Sequence, residues 1–314
     1  MAGDFFGLAG ASRLDWRAFD DGKIRMRYSA TDPVWADVEP DPFLVDLREH
    51  VRRLCVAAHE MATHPLGDRW DEVAHNLRLA YSLVDVFAET DVDGASMWCS
   101  PVADYESANG ELTEKHLAAT IVFTFVWTAY ECAVEALAAP LSRRAGRGAK
   151  GRDLVAAVSM PHLPFLRIVL LNAAEFDRDS TDFSHPDMRR MLQRGSIPGI
   201  AGEHLRQFRN RLIHGDLPKP EPEDWGDRSE YVVDEDPHLR RFHANIRLVL
   251  LLLQTLAIDA VDEDQELEAW LEGPCCARLA LQQLHCCESR TDARDEPELD
   301  LDDETIPSPK FMWG

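Results

Sequence analysis

The run HLAATIVFTFVWTAYECAVEAL at 116–137 is apolar at nearly every position around a helical turn, not along one stripe of it. A helix with no polar side has to be enclosed, so this one is expected at the centre of a bundle. It should open at Thr113, an N-cap residue followed by Glu114 in an acidic first turn, and stop at Pro140. A second apolar run, IRLVLLLLQTLAI at 246–258, falls inside a helix expected over 238–261 and is too short by itself to span a bilayer.

The rest of the chain follows the same period. Leu44, Leu47, Val51, Leu54, Cys55 and Ala58 recur at spacings of three and four, as do Ala74, Leu77, Ala80, Tyr81 and Val84, giving an N-terminal helical pair. Shorter helices are expected at 152–160, 164–176, 186–194 and 200–214, and a weaker one over 264–287. Only KIRMRYS at 23–29 alternates like a strand. The segment 91–112, with its Gly, Pro, Asp and Asn residues, reads as a connecting loop, and RRAGRGAKGR at 143–152 as a basic one. The fold class is therefore all-α. Three segments are expected: an N-terminal helical extension (1–110), a helical domain (111–260), and a C-terminal helix with an acidic tail (261–314).

Seven cysteines without an N-terminal secretion pattern predict reduced thiols and a cytoplasmic protein with no membrane segment. The pairs Cys275/Cys276 and Cys286/Cys287 cannot close on one zinc from a single helix, because eleven residues rise about 16 Å. No metal and no cofactor are assigned. The net charge of −23 opposes non-specific binding to nucleic acid, yet it is unevenly spread. Between Asp259 and Glu304, sixteen carboxylates face three arginines. Between Arg189 and Lys219, seven cations face Glu203 and Asp216, a local net of +5.

The sequence QFRNRLIHGD at 207–216 lies inside that basic island. Gly215 is placed as the left-handed cap of the helix, and Pro218, Pro220 and Pro222 prevent its continuation. On a helix, Arg206, Asn210 and His214 form one row at i, i+4 and i+8, with Arg209 beside it, while Leu205, Phe208 and Leu212 point toward the core. A guanidinium, an amide and an imidazole could converge there on one phosphate-sized anion. Histidine is also the side chain suited to moving protons near neutral pH.

The segment from Phe208 to Gly215 resembles the Arg-Asn-x-x-x-His signature of HEPN domains of the ribonuclease type, Apea-like members included. These all-α domains occur in toxins, abortive-infection proteins and RNA-guided CRISPR effectors. Trp127 and Glu131, in VWTAYECAVEAL at 126–137, are similar to the aromatic and glutamate of the family's early helix. The resemblance covers roughly residues 111–260 and implies a HEPN-like bundle that cleaves RNA without metal. It makes Arg209, Asn210 and His214 the catalytic residues. Glu131 and Arg206 would support them, and Arg190, Arg194 and Arg211 would contact RNA. Because acid and base catalysis need two proton-transfer groups, it also implies a homodimer with a composite site, in bacterial defence or a toxin-like stress response. The alternative is a non-catalytic HEPN protein, a dimeric RNA-binding or scaffold component. Asp216 departs from the tyrosine of HEPN toxins silenced by nucleotidyltransferase partners, so no antitoxin or defence-system partner is identified.

Overall fold

The computed structural model describes residues 15–18, 24–27, 30–35, 43–63, 69–145, 151–158, 163–178, 180–222, 237–262, 265–267 and 275–287. A short antiparallel hairpin, β1 (Asp15–Ala18) with β2 (Ile24–Arg27), pairs Asp15 with Arg27. Helices α1 (Asp32–Trp35), α2 (Leu47–Thr63) and α3 (Arg69–Ser82) follow, then a 3-10 turn at Ala95–Met97. Next come α4 (Ser100–Ala145), α5 (Gly151–Val155), α6 (Leu166–Phe176), α7 (Pro186–Arg194), α8 (Ile197–His214) and α9 (Pro237–Ala260). A two-residue pair, β3 (Glu266–Leu267) with β4 (Cys275–Cys276), precedes α10 (Ala277–Gln283). The chain is all-α in class, as its periodicity requires.

Every residue of α9 from 244 to 258 is buried, and α1, α2, α4, α5, α6, α8 and α10 all pack against it. Phe242 of α9 meets Phe123 of α4 and Phe208 of α8 edge-on, with centroids 6.4 and 5.4 Å away. These three aromatics bring the apolar centres of both long helices to α8. By length and apolarity α4 and α9 each suffice to cross a membrane, which corrects the reading from 246–258 alone. The apolar window of α9 is nevertheless 89% buried by protein, so its apolarity is matched by the bundle.

Three sequence expectations need correction. The segment 91–112 is not all loop: α4 begins at Ser100, so the expected boundary at 110 falls within a helix. Pro101 sits in the first turn, where its missing N–H has no partner to lose. Gly110 is supported by the preceding segment, whose Ala88 N–H donates to Glu114 Oε1 at 3.3 Å and whose Thr90 Oγ1 donates to Glu106 O at 3.3 Å. Tertiary contact here overrides helix propensity. At its other end α4 runs past Pro140 to Ala145, taking in part of the basic run 143–152. The expected helix over 264–287 is the β3–β4 pair followed by the short α10. The acidic tail from Glu288 lies outside the described residues.

The polar residues of α9 find partners inside the core. Gln254 Oε1 accepts from His50 Nε2 at 3.0 Å, and its amide nitrogen donates to His285 Nδ1 at 2.9 Å and to the Leu281 carbonyl. His285 Nε2 in turn donates to the Pro164 carbonyl at 3.0 Å, and His50 Nδ1 accepts from Arg247 at 3.3 Å. Both imidazoles are held neutral. Burial, then the charge of Arg247, pushes His50 well below its ordinary range, and burial pushes His285 down to about 4.

Since both histidines bind protons more readily when unfolded, stability is full above pH 6.5 and falls as the pH drops toward 4. At His285 the difference is worth about 3 kcal/mol. Thermal unfolding followed from neutral pH to pH ~4.5 should show this fall, and His285→Gln should show a shallower one from a lower starting stability.

Candidate functional site

α8 is built to approach its neighbours closely at one end and to present polar groups at the other. Ser196 caps it by accepting from the Gly199 N–H at 3.1 Å. A side chain at Gly202 would come within 3.1 Å of the Arg152 backbone, so this glycine is what lets α5 cross α8. At the far end Gly215 adopts φ 78°, and the Asp216 N–H donates to the Arg211 carbonyl at 2.8 Å. This closure is the left-handed cap expected from the sequence.

The close end carries a buried ionic cluster. The fully buried Glu203 accepts from Arg152 Nη1 at 2.8 Å and from Arg206 Nε and Nη2 at 2.8 and 2.6 Å. Arg152 Nη2 also pairs with Asp187 at 2.6 Å. Around this centre Arg190 bonds Asp153 at 2.9 Å and Asp187 at 3.3 Å, and Arg194 approaches Asp153 at 3.7 Å. His185, Asp187 and Glu203 place three ligand atoms within 4.8 Å of one another, the arrangement a metal ion needs. Arg152 and Arg206 already neutralise its carboxylates, so the donor set fits guanidinium better than a divalent ion.

A second buried carboxylate fixes the middle of α8. Asp177 accepts from Asn245 at 2.9 Å and Arg211 at 3.0 Å, and lies 3.3 Å from Arg241 and 3.5 Å from His204. Burial pushes the Asp177 carboxyl up, but hydrogen bonding and charge from His204, with Asn245 and Arg211, outweigh it and leave the group below its ordinary range. Arg211 also lies over the Phe208 ring, 6.0 Å from its centroid.

The residues singled out from the sequence therefore divide. Arg206, Arg190, Arg194 and Arg211 are each engaged by a carboxylate of their own chain. Arg206 bends back to Glu203 instead of extending along the row toward Asn210. Glu131 is exposed on α4 and, among the described residues, forms no ion pair, so it does not reach Arg209. Trp127 is core, stacked on Phe123 at 6.2 Å. Arg209, Asn210 and His214 remain together on the outer, C-terminal part of α8. Arg209 is half-buried, its Nη1 donates to Asn210 Oδ1 at 3.4 Å, and no carboxylate of the described residues pairs with it. His214 is exposed in the last turn, and among the described residues no hydrogen bond or ion pair holds it.

The basic island is thus far less positive than its sequence count. Partners at Asp153 and Asp177 lie 34 to 41 residues from the arginines of the island that they engage, beyond any local spacing rule, whereas Asp187 lies only three residues before Arg190. Glu203, three residues before Arg206, was within reach of one. Comparison with protein-family models, curated proteins and solved structures finds no match to this chain.

Removing the carboxylate at 203 takes from the buried Arg152 one of its two close carboxylate partners, Asp187 remaining at 2.6 Å, and takes from Arg206 the carboxylate it bonds. Glu203→Ala should lower stability by about 3–5 kcal/mol, read from the midpoint of urea unfolding. His214→Ala, at an exposed site, should leave that midpoint within roughly 0.5 kcal/mol of the parent.

Proposed function

We propose that this chain is a metal-independent endoribonuclease of the HEPN type, with Arg209, Asn210 and His214 as its catalytic group. The observation that carries the reading is the state of Arg209. Among the half-buried arginines of α7 and α8, it alone has no carboxylate partner among the described residues, and it stands beside an amide with an exposed imidazole one turn further on. An unneutralised guanidinium at a partly desolvated position is suited to an anion from outside the chain.

In this reading Arg209 binds the scissile phosphate through its planar fork, with Asn210 steadying that fork. The 2′-oxygen of the substrate forms a bond to phosphorus as the bond to the 5′-oxygen breaks, closing a cyclic phosphate. One imidazole takes the 2′-hydroxyl proton, and another gives a proton to the leaving oxygen. Arg209 offsets the charge that develops on the phosphoryl oxygens. DNA is not a substrate because it lacks the 2′-hydroxyl. One chain offers one such histidine, so the reaction calls for a homodimer apposing two copies of α8. The defence or toxin-like role in the bacterial cytoplasm belongs to the same proposal.

A second reading is a non-catalytic, dimeric RNA-binding or scaffold component. It is favoured by the neutralisation of Arg190, Arg194, Arg206 and Arg211, which leaves few free cations to hold RNA.

Labelled RNA and DNA of one sequence, incubated with the purified protein, separate the two. Cleavage of RNA alone is expected, with His214→Ala slowing it by about 10²–10⁴-fold and Arg209→Ala at least as much, both variants keeping the parent's fold and mass in solution. Arg209→Lys should recover only part of the loss, since a point charge lacks the fork. RNA bound but left uncut by wild type would favour the scaffold, and cleavage by His214→Ala at the wild-type rate would remove the catalytic assignment.

A further inference from the structure

On the opposite side of the sequence from the basic island, residues 79–114 contain eight carboxylates and no lysine, arginine or histidine. Within this acidic stretch five large apolar side chains are exposed, and three of them stand almost wholly in solvent: Val92 is 93% exposed, Met97 79% and Trp98 87%. A soluble chain gains nothing by exposing a tryptophan, a methionine and a valine within seven residues, and such groupings mark interaction sites.

The segment that carries them is held in place. Ala88 and Thr90 bond to Glu114 and Glu106 of α4, so the segment runs antiparallel along the first turns of that helix. Asp91 accepts from Ser96 N at 3.3 Å and from the Ser96 hydroxyl, Asp93 accepts from Ala95 N at 3.0 Å, and Gly94 supplies a left-handed φ of 69°. The apolar side chains are therefore displayed on ordered backbone, which lowers the entropy lost when a partner covers them. Glu89, Asp93, Asp104 and Glu111 of the same stretch are exposed, and none forms an ion pair among the described residues.

We propose that residues 88–98 and the first turns of α4 form a docking surface for a basic, amphipathic segment of another protein. Its apolar side chains would cover Val92, Met97 and Trp98, and its lysines or arginines would meet the four carboxylates. Charge complementarity selects this occupant. Nucleic acid and anionic lipid are repelled by these four exposed carboxylates, and Lys219, which reaches Asn109 on α4, is itself paired with Glu221 at 3.6 Å. A second copy is disfavoured at this patch because the chain's cations on α7 and α8 are largely paired internally, whereas the dimer proposed above apposes two copies of α8. The proposal is independent of the nuclease reading.

The probe is a fluorescent helical peptide of leucine and lysine in amphipathic pattern, with a leucine–glutamate peptide as control, titrated with the full-length protein by anisotropy. The lysine peptide should bind and the control should not, with affinity falling as salt rises from about 0.1 to 1 M and the Debye length shrinks from about 10 to 3 Å. Because acidic residues elsewhere also attract lysine, the deciding variant is Met97→Ala with Trp98→Ala, at exposed positions where folding is unaffected. It should weaken binding by about tenfold or more. Asp93→Asn with Asp104→Asn should flatten the salt dependence. No binding, or equal binding by parent and Met97/Trp98 variant, overturns the proposal. So does a wild-type dimer that the variant turns into monomer in light scattering, or phosphatidylglycerol-vesicle binding that the variant loses, since these give the patch to a second copy or a membrane.

Discussion

The fold depends on one constraint, the lack of any outward face on α9. With every residue from 244 to 258 buried, this helix can exist in water only if neighbours surround it, and seven helices do so. The contacts of Phe242 with Phe123 and Phe208 transmit that requirement to α4 and α8. The position of α8, and so of the group at its C-terminal end, follows from packing against α9 and not from its own propensity. Polar residues enter the enclosed helix only where they have partners, as at Gln254 between His50 and His285 and at Asn245 beside Asp177.

Buried carboxylates then determine which arginines are available. Glu203 on α8 and Asp177 at the end of α6 each gather the guanidinium groups within reach. Such pairs add little net stability, because desolvation of the charges offsets most of their attraction, but losing one partner leaves a buried charge. Their consequence for the surface is selective. They withdraw Arg206 and Arg211 on either side of Arg209 and leave Arg209 with Asn210 as its neighbour. If an external anion binds this chain at α8, that is where the balance of internal charge leaves room for it.

Much of the architecture was legible in the sequence because long apolar runs leave a clear record, although only 246–258 is enclosed on all sides: 116–137, read as enclosed, leaves Leu117, Thr124, Glu131 and Glu135 exposed. The apolar runs at 116–137 and 246–258 identify the two long core helices, the heptad-like spacing from Leu47 identifies α2, and Gly215 with the following prolines marks the end of α8. What was not legible depends on contacts remote in sequence. The first turns of α4 contain Pro101, Asn109 and Gly110 and read as loop, yet they are helical because residues 88–90 bond along them. The grouping of Arg209, Asn210 and His214 could be read from helical spacing, whereas the capture of Arg190, Arg194 and Arg211 by Asp153 and Asp177 could not. Counting charges along the chain overstated the basic island because it could not see those pairs.

The chemistry proposed for α8 is tested most directly by the ends left on a cut RNA. With EDTA present, attack by the neighbouring 2′-hydroxyl assisted by imidazole and guanidinium should leave a 2′,3′-cyclic phosphate on one fragment and a 5′-hydroxyl on the other, identified by mass spectrometry. A 3′-hydroxyl with a 5′-phosphate, or cleavage that stops when EDTA is added, would mean an activated water or a metal ion does the work assigned to Arg209 and His214.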